Sequence, residues 1–243
     1  MFSLPQGSSS GSQEGTTETN TIALPMLTRE HVLVVEIFLF RNRNLYLLGN
    51  FERLKLLLHV ADAWDFDEAR DYVRVQLPRC AQWSTVIQLT LALRYHEDVW
   101  FRVAFEMLVW QKASDLLVNE REMLGHAMLR ILDTARESID DHRKILACSR
   151  LPYMPGPECS KPAGQCEAVL AQAWSDVGPN MLCSPVGAIR GRDIVEKLDQ
   201  ILTSLTEICG GCQVHSLDYI RMRRQFIRED EILEDCVTEA WKL

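Results

Sequence analysis

The stretch LKLLLHVADAWDFDEARDYVRVQL, residues 54–77, decides the fold class. Leu54, Leu57, Leu58, Ala61 and Trp64 recur at helical spacing and make one apolar face. Asp65 stands three residues before Glu68, the arrangement of a capping-box variant that satisfies the free N–H groups of a new helix. That second helix turns Phe66, Ala69, Tyr72 and Val73 inward and stops at Pro78, which lacks a backbone donor. Two amphipathic helices joined by a few polar residues form an antiparallel pair.

The same pattern extends outward. Thr28 is placed to cap a helix over residues 30–40, and residues 24–27 open the fold. Residues 41–50 are polar and end in Gly-Asn, a break. Ser84 is a cap for a helix carrying Val86, Leu89, Thr90 and Leu93, which His96-Glu97-Asp98 ends. Residues 99–110 form another apolar-rich helix, and Asn119 with Glu122 repeats the capping logic before residues 123–131. Residues 150–166 shift composition: Pro152, Pro155, Gly156, Pro157, Pro162 and Gly164 predict an irregular connector and a boundary. Helices over residues 191–208 and 216–243 complete the chain. No run alternates as a strand does, and no solenoid repeat is present. The expected fold is all-α, antiparallel helical pairs or a bundle behind a disordered tail. Its parts are a tail over 1–22 and helical regions over 23–80, 81–147 and 148–243. The tail assignment rests on the Ser, Gly, Thr, Gln and Glu content of residues 1–21, which cannot repay the cost of ordering a backbone.

Composition narrows function. The chain has 243 residues, 47% hydrophobic and 25% charged, enough apolar material for a core. Its net charge of −8 supplies no field to draw in a polyanion. No positively charged segment followed by an apolar run opens the sequence, and the longest apolar stretch, residues 32–40, is interrupted by Glu36. Eight cysteines without a secretory leader predict an intracellular protein of cytoplasm or nucleus, with free thiols or metal-bound thiolates rather than disulfides.

Residues 54–77 resemble the end of the BTB/POZ domain in the large family of basidiomycete fungal BTB proteins. There a helix ending in Trp runs through a D-F-D/E-x-x-R turn into the next helix, here Trp64, Asp65, Phe66, Asp67, Glu68 and Arg70. VEIFLF, residues 35–40, is similar to the helix before the family's Tyr-Pro loop, where this chain has Arg41-Asn42-Arg43-Asn44 instead. LALRYHEDVWFRVAFEMLVWQKASDLLVNEREMLG, residues 91–125, resembles the family's BACK-like helices, through Tyr95, Trp100, Glu120 or Glu122, Leu124 and Gly125. Cys159, Cys166, Trp174, Cys209, Cys212 and the Glu-rich end follow the order of its C-terminal part. The strand-rich first half of a BTB domain has no counterpart here. The chain is therefore expected to be a truncated or alternatively started product, or a member that has lost that half. The family's usual dimer surface goes with it. The resemblance implies protein–protein interaction through helix grooves, as an adaptor or scaffold, without chemistry. Loss of the strand half predicts exposed apolar faces around residues 34–40 and 54–58.

Cys159, Cys166, Cys209 and Cys212 are the sharpest local signal. Cys209-x2-Cys212 has zinc half-site spacing, Gly210 and Gly211 permit its tight turn, and His215 is a spare ligand. Cys159-x6-Cys166 is a less usual partner. Zinc, free thiols and a regulated disulfide all remain open readings, free thiols being the ordinary fate of such cysteines. Thioredoxin-like chemistry is disfavoured, because an amphipathic helix rather than a strand precedes the pair. Asp140-Asp141-His142 reads as a solvated helix face, and Glu97-Asp98 as a turn and helix start. Arg221, Arg223, Arg224 and Arg228 are followed by Glu229, Asp230, Glu231, Glu234 and Asp235, so intrahelical pairs cancel the field a nucleic acid would need. Trp64, Trp83, Trp100, Trp110 and Trp174 are expected as packing anchors. No P-loop, G-x-G-x-x-G, H-E-x-x-H or G-x-S-x-G occurs, which favours a non-enzyme. The rival classes are a zinc-stabilised helical regulator binding nucleic acid and a Cys-dependent enzyme.

Overall fold

In the computed structural model, residues 28–184 and 188–243 are described, and every regular element among them is a helix. The predicted tail over 1–22 and the opening at 24–27 lie outside them. The chain divides into two compact units, with the boundary between Trp83 and Ser84.

The first unit holds α1 (Arg29–Phe40), α2 (Arg43–Tyr46), α3 (Phe51–Ala63) and α4 (Asp67–Gln76), closed by a 3-10 turn, Leu77–Arg79, that carries Pro78. Thr28 does precede α1, with its hydroxyl 2.8 Å from His31 Nδ1. Asn50 caps α3 by accepting from the Arg53 N–H at 3.1 Å. The capping box expected at Asp65 does not form. Asp65 instead adopts φ +51°. The Phe66 N–H reaches back to the Ala61 carbonyl at 2.8 Å, and the Asp65 N–H to Asp62 at 3.3 Å. This is a left-handed helix stop that fills the last orphan carbonyls of α3 and turns the chain at once into α4. Arg70 holds the Asp65 carboxylate at 3.4 Å and Asp67 at 2.9 Å.

The second unit opens with the same device. Ser84 caps α5 (Thr85–Arg94) as expected, accepting from Ile87 at 3.2 Å. His96 takes φ +53° and the Glu97 N–H bonds to Ala92 at 2.9 Å, turning the chain into α6 (Asp98–Trp110). Both stops use a residue with a Cβ in the left-handed region, which costs about 1–2 kcal/mol relative to ordinary helix and is least severe for Asp, Asn and His. Asp65→Gly is therefore expected to stabilise the first unit by about 0.5–1 kcal/mol, the exposed ion pair with Arg70 offsetting only a few tenths. Chemical denaturation would show it as a raised midpoint with unchanged slope, and a lowered midpoint would refute it.

Phe38 is the centre of the first unit, fully buried, with edge contacts to Phe66 at 5.4 Å and Tyr72 at 5.5 Å and the Arg43 guanidinium 4.0 Å from its ring. The faces expected to be open are covered in their larger part: Val34, Val35, Ile37, Leu54, Leu57 and Leu58 are buried, because α3 packs between α1 and α4, while Leu39 and Phe40 at the end of α1 are exposed as expected. Exposure lies on the other side of α1, on α2 and in the turn after it, at Val32, Leu33, Leu39, Phe40, Leu45 and Leu48. Trp64, expected as an anchor, is half exposed.

The rest of the second unit comprises α7 (Val118–Cys148), α8 (Gln165–Cys183), α9 (Gly191–Thr203), α10 (Gly210–Arg223) and α11 (Arg228–Ala240). α7 is far longer than the predicted 123–131 segment. Its start is held by Glu120, whose carboxylate accepts from the Leu117 N–H at 3.0 Å, and not by Asn119; it is interrupted at Gly125. The predicted 216–243 helix is two helices. Arg224 ends α10 in the left-handed conformation, Phe226 turns into the core, and α11 runs back against α7. The predicted 191–208 helix stops at Thr203.

Two apolar cores result. Phe101, Phe105, Leu108, Leu132 and Val237 lie in the one formed by α5, α6, α7 and α11, with Trp100, Trp110 and Trp241 packed against it. Leu146, Leu151, Trp174, Leu198 and Phe226 lie in the other, formed by the end of α7 with α8, α9 and α10. Leu151 thus anchors the start of the Pro- and Gly-rich connector in the second core. α7 runs through both, and Arg143 pins it: its guanidinium makes a bidentate pair with Glu229 at 2.8 and 3.1 Å and donates to the Ile189 carbonyl at 3.1 Å.

Candidate metal centre

The second core presents one end to the connector of residues 150–164. Helices α8 and α10 both begin there, and their first turns bring the cysteines together. Cys166 is the second residue of α8, Cys209 is the N-cap of α10, and Cys212 is its third residue. Cys159 arrives from the connector. Helix N-termini carry partial positive charge, so each favours a thiolate in its first turn.

All four Sγ atoms lie within 4.8 Å of one another. Cys159 and Cys166 are 3.8 Å apart, Cys166 and Cys209 3.8 Å, and Cys209 and Cys159 3.7 Å. These are not bonded sulfurs, since a disulfide measures about 2.05 Å. A tetrahedral ion with metal–sulfur bonds of about 2.3 Å requires sulfur–sulfur edges of about 3.8 Å. Three edges of the cluster have that length.

The connector reaches the cluster because two glycines meet. A Cβ built on Gly156 would lie 2.5 Å from the Gly211 carbonyl carbon and 2.8 Å from the Cys212 nitrogen. No side chain fits there. The close approach lets the Gly156 N–H donate to Cys212 Sγ at 3.2 Å, beside Tyr153 Oη at 3.2 Å. One turn further along α10, the buried Ser216 hydroxyl accepts from the Met154 N–H at 3.2 Å and donates to the Met154 carbonyl at 3.1 Å. Lys161 closes the rim, donating to the Thr206 carbonyl at 3.3 Å. Burial alone would push the Cys212 thiol up, but the hydrogen bonds from Tyr153, Gly156 and the neighbouring Cys209 and Cys159 thiols together outweigh it and bring it down to about 6. Burial holds the Cys166 thiol above its ordinary value.

The four sequence-predicted cysteines therefore come together, and the spare ligand does not: His215 is exposed on α10 and is not part of the cluster. Tyr153, Gly156 and Ser216 escaped the sequence reading. The visible signal was a glycine between two prolines in the connector, read as a mark of irregularity alone. Gly156→Ala is expected to weaken metal binding at the cluster by roughly 10–100-fold, the ordinary effect of losing an outer hydrogen bond. Competition against a chromogenic chelator measures it, and an unchanged affinity would count against the clamp.

The other candidates separate cleanly. Asp140 and Asp141 are solvent-exposed, Asp141 pairs with Lys144 at 3.0 Å, and His142 Nε2 lies 2.9 Å from the Gln225 carbonyl. Asp98 opens α6 and pairs with Arg102 at 3.2 Å. In the basic run, Arg228 pairs with Glu231 at 2.8 Å within α11, as expected, whereas Arg221 pairs with Asp218 at 2.8 Å within α10 and not with the acidic residues that follow. Glu229, predicted on a solvated face, is instead buried against Arg143. No helix of the described residues is long and apolar enough to cross a membrane. No protein-family model matches the chain, and no curated protein or solved structure matches it.

Proposed function

We propose that this chain is a non-catalytic protein-docking module whose second unit is closed by a single structural zinc ion held by Cys159, Cys166, Cys209 and Cys212. The observation that carries the metal assignment is that Cys159, Cys166 and Cys209 form a triangle with sulfur–sulfur edges of 3.7–3.8 Å, the edge of a tetrahedral zinc tetrathiolate, with the Cys212 sulfur within 4.8 Å of each. One ion accounts for all four sulfurs; two metals would spread them into separated pairs. Four protein thiolates leave no position for water or substrate, so the ion holds the fold and does no Lewis-acid chemistry. Its excess negative charge is met by the two helix N-termini, the Gly156 N–H and the Tyr153 hydroxyl.

Docking is supported by the exposed apolar residues of the first unit, where Phe40 is 81% and Leu45 70% exposed. Large apolar side chains left exposed in such number, on α1, on α2 and in the turn after it, are the kind of surface that other proteins cover. The resemblance of residues 54–77 and 91–125 to BTB/POZ and BACK-like helices supports the same reading, since proteins of that family commonly act as adaptors.

Elemental analysis of chain purified without added metal or chelator is expected to find about one zinc per chain, and none in Cys212→Ser. A metal-free chain that is fully folded overturns the centre. Phe40→Asp with Leu45→Asp is expected to abolish capture of partner proteins while leaving zinc content intact. Capture unchanged by that pair overturns the docking surface.

A further inference from the structure

We infer that the open half of this centre, Cys159 and Cys209, is an oxidation site: a two-electron oxidant of the peroxide class joins those two sulfurs and releases the metal, while Cys166 and Cys212 stay reduced. The inference rests on the zinc reading above and adds the chemistry by which the ion leaves.

The cluster is divided by burial. Cys166 and Cys212 are 1% and 0% exposed, whereas Cys159 is exposed and Cys209 half-buried. An oxidant arriving from solvent meets Cys159 first. The partner best placed to resolve it is Cys209, whose sulfur is 3.7 Å away and also borders solvent. A disulfide of about 2.05 Å requires an approach of about 1.7 Å. The backbone at both positions can supply it. Cys159 lies in an irregular connector, and Cys209 is an N-cap at the end of the turn after α9, so neither movement breaks a helix. The buried pair has no such freedom. Cys166 and Cys212 sit inside first helical turns, and the Cys212 sulfur is held by Gly156 and Tyr153.

The chemistry balances without another reactant. The Cys159 thiolate attacks one peroxide oxygen; the O–O bond breaks, and the departing hydroxide takes a proton to become water. Cys159 is now a sulfenic acid. The Cys209 thiolate attacks its sulfur, the S–O bond breaks, and the second hydroxide is protonated to water. Two thiolates, one hydrogen peroxide and two protons become one disulfide and two waters, the peroxide taking both electrons. A zinc ion held there would keep only the Cys166 and Cys212 thiolates, too few to retain it. The disulfide ties the connector to the start of α10 where the metal did. A dithiol reductant therefore restores four thiolates already in place, and zinc rebinds.

The test uses the full zinc-loaded chain, with hydrogen peroxide as the probe and a chromogenic chelator reporting released metal. Non-reducing peptide mapping after alkylation reads the linkage. The expected result is loss of the bound zinc at about one peroxide per chain, a Cys159–Cys209 linkage, alkylated Cys166 and Cys212, and recovery after reduction with zinc. Cys148→Ser with Cys183→Ser, which removes two exposed cysteines outside the centre, should leave release unchanged; release lost in that variant overturns the assignment. Metal analysis before peroxide is added decides the zinc reading by itself. A chain that neither holds nor takes up zinc overturns that reading and this one with it. A zinc-loaded chain that keeps its metal under excess peroxide, or loses it with a different pair linked, overturns the oxidation site alone.

Discussion

Arg143→Ala should destabilise the second unit by about 3–5 kcal/mol, the usual cost of leaving one member of a buried ion pair without its partner. The pair is enclosed: the side chains of Arg143 and Glu229 are 7% and 3% exposed. Arg143 stands on α7, Glu229 in the first turn of α11, and the third partner is the start of α9. The Gly191 N–H donates to Glu229 at 3.0 Å, placing a carboxylate at a helix N-terminus. That contact requires a residue without a Cβ, since one built on Gly191 would lie 2.0 Å from the Phe226 carbonyl oxygen. Removing the guanidinium strands the carboxylate; Glu229→Leu strands the guanidinium and the Gly191 N–H together. The double variant, Arg143→Ala with Glu229→Leu, leaves neither charge of the pair buried and should be less destabilised than the two single changes added together, the sign of direct coupling. Urea titrations of the four proteins would measure this. Single variants each within about 1 kcal/mol of the parent would show that water reaches the pair and screens it.

Nothing local announces that pair. Arg143 follows Asp140-Asp141-His142, and Glu229 sits among acidic residues, so both read as parts of solvated charged faces. Helix periodicity places residues on a face but does not say which charged face meets another helix 86 positions away. The caps show the same division between local and distant information. Ser84 was legible because a hydroxyl before an apolar stripe satisfies its own backbone. The break at His96-Glu97-Asp98 was legible too, but the left-handed turns that make the stops at Asp65 and His96 were not, since neither residue is glycine. The long charged stretch from Arg221 hid the break at Arg224 because the pattern continues while the backbone does not. In the cysteine cluster, the spacing of Cys209 and Cys212 announced a half-site. That Cys159 and Cys166 supply the other half depends on α8 and α10 starting at the same end of one core, which spacing cannot encode.

Chelation of zinc should lower the thermal midpoint of the second unit by roughly 8–16 °C. A ligand bound to the folded state alone stabilises it by about 4 kcal/mol when free ligand is a thousand times Kd, and a chain of this size loses about 2–4 °C per kcal/mol. The loss should also be localised. Without the ion, four sulfurs remain crowded within 4.8 Å and the connector keeps the hydrogen bonds to Cys212 and Ser216, the rim contact of Lys161 and the packing of Leu151 and Tyr153 at its start. Residues 150–164 and the first turns of α8 and α10 should then exchange amide hydrogens far faster. The core of α5, α6 and α11 contains no ligand and should keep its protection. Gly156→Ala should reproduce part of this in the presence of zinc, because it separates the connector from Cys212 while leaving all four ligands in the chain. Calorimetry with and without chelator measures the first effect and hydrogen exchange the second. A midpoint indifferent to chelator in a chain that does bind zinc would mean the cysteines are held in place by packing alone, and that the ion contributes nothing to the fold it occupies.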